Sequence, residues 1–170
     1  VKLREYAKVT NFTIIYGGGP GNISKKTKMS MKDAQKLVYK FRRSVPKLAR
    51  WLGENSDFSV KTRTSFSADV FKRRRTMRDP EDWMLSNIGK NNPIQSCGAN
   101  MTKLAMVSLP EDIPPVLTIH DELVCEVKKS QANKALKVLK GVMEKAADYC
   151  TGVPGLIKVE PRIATSLLKQ

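Results

Sequence analysis

Residues 4–17 read REYAKVTNFTIIYG, a stretch of helical character that runs into the glycine-rich segment 17–21. Glycine is flexible and Pro20 cannot continue a hydrogen-bond ladder, so this segment predicts the end of a helix. A shared four-residue spacing puts two cations and then two aromatic rings on one helical face, over about 18 Å. We call these residues the cation–aromatic stripe: Arg4, Lys8, Phe12 and Tyr16.

Two interpretations of the cation–aromatic stripe remain open on periodicity alone. Arginine forks around phosphate oxygens and lysine acts as a point charge, so one end suits phosphates, and the flat rings suit sugar and base. A half-buried amphipathic helix gives the same pattern. The glycine run itself lacks the GxxxxGK[ST] order of a phosphate loop.

The charge of the chain is large and one-sided. The 170 residues carry a net charge of +15; residues 1–90 hold 21 Lys and Arg against 8 Asp and Glu, and residues 91–170 hold 10 against 8. Such a surface favours DNA or RNA as a partner, because binding releases condensed counterions. A merely soluble basic protein is the alternative.

Composition disfavours the membrane and secreted disulfide-rich classes. No run of 18 apolar residues is present, so no membrane span or membrane partner is expected. The first residues lack the apolar core of a signal peptide. Cys97, Cys125 and Cys150 form no CxxC pair, which indicates reduced cytoplasmic thiols rather than a disulfide framework or zinc site.

The first half of the chain predicts helices with a polar interruption. Ser30 precedes an acidic turn and predicts an N-cap, followed by a helix with Leu37, Val38 and Phe41 on one face. A second helix is predicted after Pro46, with Leu48, Trp51 and Leu52 buried. Residues 53–92 look irregular and polar, and the next helix is predicted from Pro93, with Ile94, Met101, Leu104 and Ala105 as its apolar positions.

The second half predicts a β-hairpin at residues 116–127, because two β-branched stretches flank Asp121 and Glu122. Ser130 predicts the cap of an amphipathic helix, and residues 155–160 predict an extended strand. The expected fold class is α+β, with a helical basic first half and a hairpin backed by helices. The apolar side of the helix after Ser130 comprises Leu136, Leu139, Met143 and Ala147.

Motif blocks along the chain, in matching order, resemble DNA polymerase family A, the DNA polymerase I type. Residues 4–17 resemble the fingers-helix motif R-x3-K-x3-F-x3-YG, and residues 30–46 resemble the helices that follow it. Residues 60–62, with the arginines after them, are similar to the VxT…GRR stretch. Residues 91–106 resemble N-x-P-[IM]-Q-G-T-A-A-D-x-x-K-x-A-M, and residues 120–123 resemble the HDE[LF] hairpin. The ordered set is more specific than any single block.

The resemblance implies template-directed DNA synthesis from dNTPs on primer-template DNA. It implies that Arg4 and Lys8 contact the incoming triphosphate and stabilise the charge that develops as pyrophosphate leaves. Phe12 is then expected to pack on the nucleotide sugar. Tyr16 is expected to help close the pocket over the new base pair.

The resemblance also implies a metal and DNA site in the second half. Asp121 matches a ligand of catalytic Mg²⁺ in a two-ion site, Glu122 a supporting neighbour, and His120 a catalytic-site residue near the primer terminus. Asn91 and Gln95 match residues that reach the DNA minor groove, where acceptors are shared by all base pairs. The basic cluster Arg73, Arg74 and Arg75 is expected to contact DNA.

The expected division is a fingers subdomain at residues 1–90, with its nucleotide-binding helix at 3–17, and a palm portion at 91–170.

The sequence departs from the family pattern at five positions, where the family usually has two glycines, a threonine, an arginine and an acid. The departures put some primer–template contacts in doubt, although Lys90 or the Arg73 cluster would substitute. The departing residues are Thr13 and Ser96 in place of the glycines, Cys97 in place of the threonine, Asn87 in place of the arginine and Asn100 in place of the acid.

A second catalytic aspartate in the family's D-[YF]-S-x-x-E context is not found in the sequence. We therefore expect an N-terminal partner that supplies palm and thumb, with or without an exonuclease. That partner would be a preceding segment or a separately encoded chain, as in the split polymerases of some viruses. The expected location is the cytoplasm of a bacterium or virus-infected cell. The alternative function is a non-catalytic, polymerase-like nucleic-acid-binding module.

Overall fold

The computed structural model describes residues 2–78 and 81–166, apart from the side chains of residues 2, 3 and 5. These residues form an α+β fold, as predicted, with six α-helices, two short antiparallel hairpins and one 3₁₀ turn. The helices are α1 (Lys2–Ile15), α2 (Pro20–Thr27), α3 (Met31–Ser44), α4 (Pro46–Thr62), α5 (Asp82–Ser108) and α6 (Ala132–Thr151). The strands are β1 (Thr64–Phe66), β2 (Arg74–Thr76), β3 (Pro115–Ile119) and β4 (Glu122–Cys125).

The chain divides into two compact units. Unit 1 comprises residues 1–66 and 73–93, and unit 2 comprises residues 67–72 and 94–170. The division therefore passes through α5, between Pro93 and Ile94. The functional names of the predicted division, fingers for 1–90 and palm for 91–170, stay a prediction.

The core of unit 1 lies where α1, α2 and α3 pack together. It consists of Ile14, Ile23, Ala34 and Val38, with Met29, Leu37 and Phe41 packed against it. Burying an aliphatic side chain of this size stabilises the fold by about 1.5–3 kcal/mol relative to leaving it exposed. The predicted apolar face of the helix after Ser30 is confirmed.

The turns of unit 1 follow their sequence signals. Gly17 has a φ of 82°, and the Gly18 N–H donates to the Thr13 carbonyl at 2.7 Å, which closes the end of α1. The Ser30 Oγ accepts a hydrogen bond from the Asp33 N–H at 3.1 Å, which caps α3 as predicted. After Pro46, Leu52 is buried, whereas Leu48 and Trp51 are only half-buried.

The prediction of an irregular segment at 53–92 was wrong. α4 continues to Thr62, β1 and β2 pair with Thr64 opposite Thr76, and α5 begins at Asp82 with Pro93 inside it. Polar contacts hold this region: Ser56 Oγ lies 2.7 Å from Ser86 Oγ, and Asn92 Nδ2 donates to Ser65 Oγ at 3.1 Å. Because buried polar pairs replace an apolar stripe, the hydrophobic period gave no helical signal.

Unit 2 contains the predicted β-hairpin, with Ile119 paired to Glu122. Its core is a cluster of Ala105, Leu123 and Ala146, so the hairpin packs on the second half of α5 and on α6. Of the apolar positions predicted from Pro93 onward, Ala105 is buried, but Ile94 is exposed.

Two predictions about the end of unit 2 were wrong. Ser130 lies in the 3₁₀ turn Lys129–Gln131, and α6 begins at Ala132 without a side-chain cap. Among the described residues, 155–160 form no strand, because no neighbouring strand is there to pair with them. Instead, the Gly155 N–H donates to Asp148 Oδ1 at 2.7 Å and the Val159 N–H to Glu144 Oε1 at 3.1 Å, which fixes the segment along α6.

Candidate functional site

The cation–aromatic stripe lies on one exposed face of α1 and ends at Tyr16, the residue that follows the helix. Phe12 and Tyr16 are 45% and 41% exposed, and their rings stack with centroids 5.9 Å apart and planes 13° from parallel. Lys8 Nζ lies 5.9 Å from the centroid of the Phe12 ring. Large aromatic rings left in water at helical spacing present a continuous surface for a flat, charged ligand.

A groove runs beside the cation–aromatic stripe. Its volume is about 250 Å³, and the stripe residues Lys8, Phe12 and Tyr16 line it. Lys26 of α2 lines it too and adds a second cation. Lys26 could not be recognised from the sequence, because locally it is an ordinary cation in the last turn of a short helix. The remaining lining residues are Val9 and Thr13.

Thr13 stands where a glycine was expected, and it is buried. Its Oγ1 and the Oγ1 of Thr10 have no hydrogen-bond partner among the described residues. Its methyl group lies so close to Gly18 that a Cβ there would overlap it. Thr13 therefore lines the groove, with its hydroxyl buried and unpaired among the described residues.

The first half of α5 docks on the end of α1. Asn91 Nδ2 donates to the carbonyl of Tyr16 at 3.3 Å, and Asn91 Oδ1 has no partner among the described residues. A Cβ added at Gly17 would overlap the Asn87 side chain. The structure thus brings predicted site residues Tyr16 and Asn91 together within unit 1. Gln95 is exposed four residues further along α5.

The turn of the β3–β4 hairpin consists of His120 and Asp121, whereas Glu122 is the first residue of β4. The prediction of Asp121 and Glu122 at the tip was therefore one residue too late. All three side chains are exposed. His120 has a φ of 55°, a conformation that costs a residue with a Cβ about 1–2 kcal/mol. Backbone strain of this kind clusters at active sites, ligand clamps and switch regions.

The basic cluster is exposed. Arg74 and Arg75 lie in β2 opposite Phe66 and Ser65, with Arg73 just before the strand. Lys90, named as a substitute cation, points inward instead: its Nζ donates to Ser86 Oγ at 2.9 Å. Burial, with repulsion from Arg42, lowers the pKa of Lys90. Lys90 is therefore engaged inside unit 1, and the exposed arginines are the better candidates for DNA.

Comparison with known proteins decides the family. The profile that describes DNA polymerase family A matches residues 1–167. The chain belongs to DNA polymerase family A. It is 30% identical to the thermostable DNA polymerase I of Thermus filiformis, over 93% of this chain and 20% of that protein. It is 26% identical to DNA polymerase I of Caldicellulosiruptor bescii, over 94% of this chain and 20% of that protein.

The fold of this family A chain is similar to a solved structure, the POL domain of Pol1 from M. smegmatis in complex with DNA primer-template and dNTP. The TM-score is 0.76 at 21% identity, over 85% of this chain and 27% of that one. The family A chain therefore spans about a fifth of the length of the relatives named above. Those relatives are bacterial, and they give no support to a viral or split origin.

Unit 2 of the family A chain contains a buried carboxylate that sequence analysis missed. Asp69 is 1% exposed and accepts hydrogen bonds from Asn100 Nδ2 at 2.7 Å, Ser67 Oγ at 2.8 Å and the Phe71 N–H at 3.0 Å. Burial alone would raise the pKa of Asp69, but these donors hold it below the ordinary value. The motif residue replaced by Asn100 is an acid, so the pairing explains the departure: a second carboxylate would repel Asp69.

Cys97, which also departs from the family pattern, lies beside this buried carboxylate. Burial, together with the negative charge of Asp69, raises the pKa of the Cys97 thiol to about 11. Burial likewise raises the pKa of the Cys125 and Cys150 thiols. All three cysteines are unpaired, and their high pKa values make them poor nucleophiles.

Metal-binding groups are sparse in the part of the family A chain that the structure describes. There, no three His, Cys, Asp or Glu side chains lie close enough together to hold an ion. Asp121 and its neighbour Glu122 offer exposed carboxylate oxygens, the donors that Mg²⁺ prefers. They fit one part of a magnesium site.

No helix in the described ranges is long and apolar enough to cross a membrane.

Proposed function

We propose that this chain performs template-directed DNA synthesis, transferring a nucleotide from a dNTP to a primer 3′-hydroxyl, as the fingers and palm portion of a family A polymerase. The observation that carries the proposal is the exposed ring stack of Phe12 and Tyr16, with Lys8 beside it and Lys26 across the groove. Both rings are partly exposed and they stack on each other, so their outer faces are open to a ligand.

On this proposal α1 holds the incoming nucleotide. Arg4 and Lys8 bind the triphosphate and offset the negative charge that grows on the leaving pyrophosphate. Phe12 packs on the sugar, and Tyr16 covers the new base pair. Tyr16 connects the nucleotide-binding residues to the DNA-binding residue Asn91, because the Tyr16 carbonyl accepts a hydrogen bond from Asn91.

Unit 2 contributes the β3–β4 turn. Asp121 would hold Mg²⁺ with support from Glu122, and the bound ion would supply Lewis-acid neutralisation of phosphate charge. His120 lies at the primer terminus, where its left-handed backbone fixes the direction of the adjacent aspartate. Asn91 and Gln95 reach the minor groove of the primer-template DNA, and Arg73, Arg74 and Arg75 bind its phosphates.

The remaining metal ligands come from outside these residues on this proposal. A two-ion site needs several carboxylates, and Asp121 and Glu122 supply only some of them. We propose that a palm and thumb segment, carried by the same polypeptide or by a separate chain, completes the site in the cytoplasm of the cell. That segment would come with or without an exonuclease domain.

The test is primer extension after mixing the chain with the palm and thumb segment of a family A polymerase. Asp121→Asn should abolish synthesis while leaving DNA binding intact. Glu126→Gln is the matched control, because it removes one exposed carboxylate just beyond the same hairpin. Normal rates from the chain alone would contradict the need for a partner.

The rival proposal is a non-catalytic nucleic-acid-binding module, and it predicts equal behaviour of Asp121→Asn and Glu126→Gln. Its main support is the set of departures from the family pattern at Asn87, Ser96 and Asn100. The hydrogen bond from Asn100 to buried Asp69 weakens that support, since it gives the Asn100 departure a structural reason.

A further inference from the structure

The outward face of α3 carries a second concentration of charge. Ala34 and Val38 are buried in the core of unit 1, with Leu37 and Phe41 against them. At 100° per residue, five exposed side chains fall within an arc of about 100° on the opposite side of the helix. They are Lys32, Lys36, Tyr39, Lys40 and Arg43, and we call them the α3 basic face.

An aromatic ring sits among these cations. Tyr39 is 61% exposed, and Arg43 Cζ lies 5.7 Å from its ring centroid. Arg43 Nη1 also donates to the Tyr39 hydroxyl at 3.5 Å. The ring forms one wall of a shallow groove of about 460 Å³. The other lining residues are Lys36, Lys40, Arg43 and Ser44.

Three of these cations do not stabilise the helix, although Arg43 lies in its last turn, where a positive charge is favourable. Lys32, Lys36 and Lys40 follow one another at four-residue spacing, and like charges at that spacing destabilise a helix. The one acid of α3, Asp33, accepts a hydrogen bond from the Ser30 hydroxyl at 2.6 Å at the start of the helix. An ordinary solvated face would mix acids and bases, whereas this one carries cations and an exposed ring.

We propose that the α3 basic face binds a single strand of nucleic acid. Its cations contact successive phosphates, and one unpaired base stacks on Tyr39. From Lys32 to Arg43 the helix rises about 16 Å, which matches about five stacked nucleotides at 3.4 Å each. A single strand is the occupant because the bases of a duplex are already stacked and offer Tyr39 no free face.

This inference is independent of the nucleotidyl-transfer chemistry, since it concerns equilibrium binding to α3 alone. The probe is a short fluorescent oligothymidine, titrated with the full chain at several salt concentrations. The variant Lys36→Gln/Lys40→Gln/Arg43→Gln should bind at least about tenfold more weakly, and its salt slope should fall by about 2. The control Lys129→Gln/Lys137→Gln/Lys145→Gln removes the same charge from exposed positions in unit 2 and should bind like wild type.

Tyr39 separates stacking from charge. Tyr39→Ala should weaken binding about tenfold without changing the salt slope, whereas Tyr39→Phe should bind like wild type. Thermal unfolding of both variants should match wild type, because the side chain is exposed. Equal losses in the two triple variants, a Tyr39→Ala variant that binds normally, or equally sensitive binding of a duplex would each overturn the proposal.

Discussion

The face of α1 and the first half of α5 are both polar helical surfaces of unit 1, but they use polarity in opposite ways. On the α1 side, Lys8, Phe12 and Tyr16 are exposed, and the rings of Phe12 and Tyr16 stack on each other. On α5, Ser86 and Asn92 bond to neighbouring elements of the same unit. The exposed side chains on the α1 side are therefore open to a ligand, whereas the buried polar side chains of α5 make contacts within unit 1.

The largest expected effect comes from removing charge on the α1 side. Lys8→Ala should lower kcat/KM for dNTP incorporation by about 10²–10³, the usual cost of losing one group that stabilises developing charge. Thermal unfolding should not change, because Lys8 is exposed. Lys25→Ala is the matched control, an exposed lysine that does not line the groove. Equal losses of kcat/KM in the two variants would show that Lys8 does not bind the nucleotide.

The buried polarity of unit 2 predicts a pH-dependent effect. Asn100→Asp should lower the unfolding free energy at pH 7 by about 3 kcal/mol, because two buried carboxylates would share one site. One of the pair would then have a raised pKa, so the stability of the variant should fall as pH rises from about 4 to 7. In wild type the pKa of Asp69 is lowered, and its contribution should be lost as pH falls below about 4. Chemical denaturation at several pH values measures both trends, and a pH-independent deficit would contradict them.

Two glycines of α5 sharpen the comparison further. A Cβ at Gly89 would overlap the Asn55 carbonyl and Ser59, so Gly89→Ala should destabilise the chain by about 1–3 kcal/mol. A Cβ at Gly98 would meet open space, so Gly98→Ala should stabilise it by about 0.5–1 kcal/mol. If thermal unfolding showed the same sign for both, the close approach of α4 and α5 would be wrong.

Sequence reasoning predicted the elements whose signals are local. The end of α1 at Gly17 and the cap at Ser30 depend on the chemistry of neighbouring residues, and both were confirmed. The β3–β4 hairpin was confirmed as well, although its turn was placed one residue too late. Its turn residue His120 adopts a conformation that usually favours glycine, so no glycine was present to mark the start of the turn.

Features that depend on residues far apart in the chain could not be predicted. Asp69 and Asn100 are 31 residues apart, and only the fold shows that they share one hydrogen bond. Lys26 lines the groove beside α1 because α2 packs on α1, and the spacing of residues within α2 does not predict that contact. The start of α5 was missed for the same reason, since Ser86 and Asn92 find their partners in α4 and β1.

The most direct test of the account is the selectivity of the Phe12→Tyr variant, measured as the ratio of dideoxynucleotide to deoxynucleotide incorporation in the assembled polymerase. If Phe12 packs on the nucleotide sugar, wild type discriminates against the dideoxy substrate because a phenyl ring cannot replace the missing 3′-hydroxyl. The added tyrosine hydroxyl should then relax that discrimination by at least about tenfold, the worth of one hydrogen bond in a closed site. An unchanged ratio, with normal folding and synthesis, would mean that the cation–aromatic stripe does not hold the incoming nucleotide.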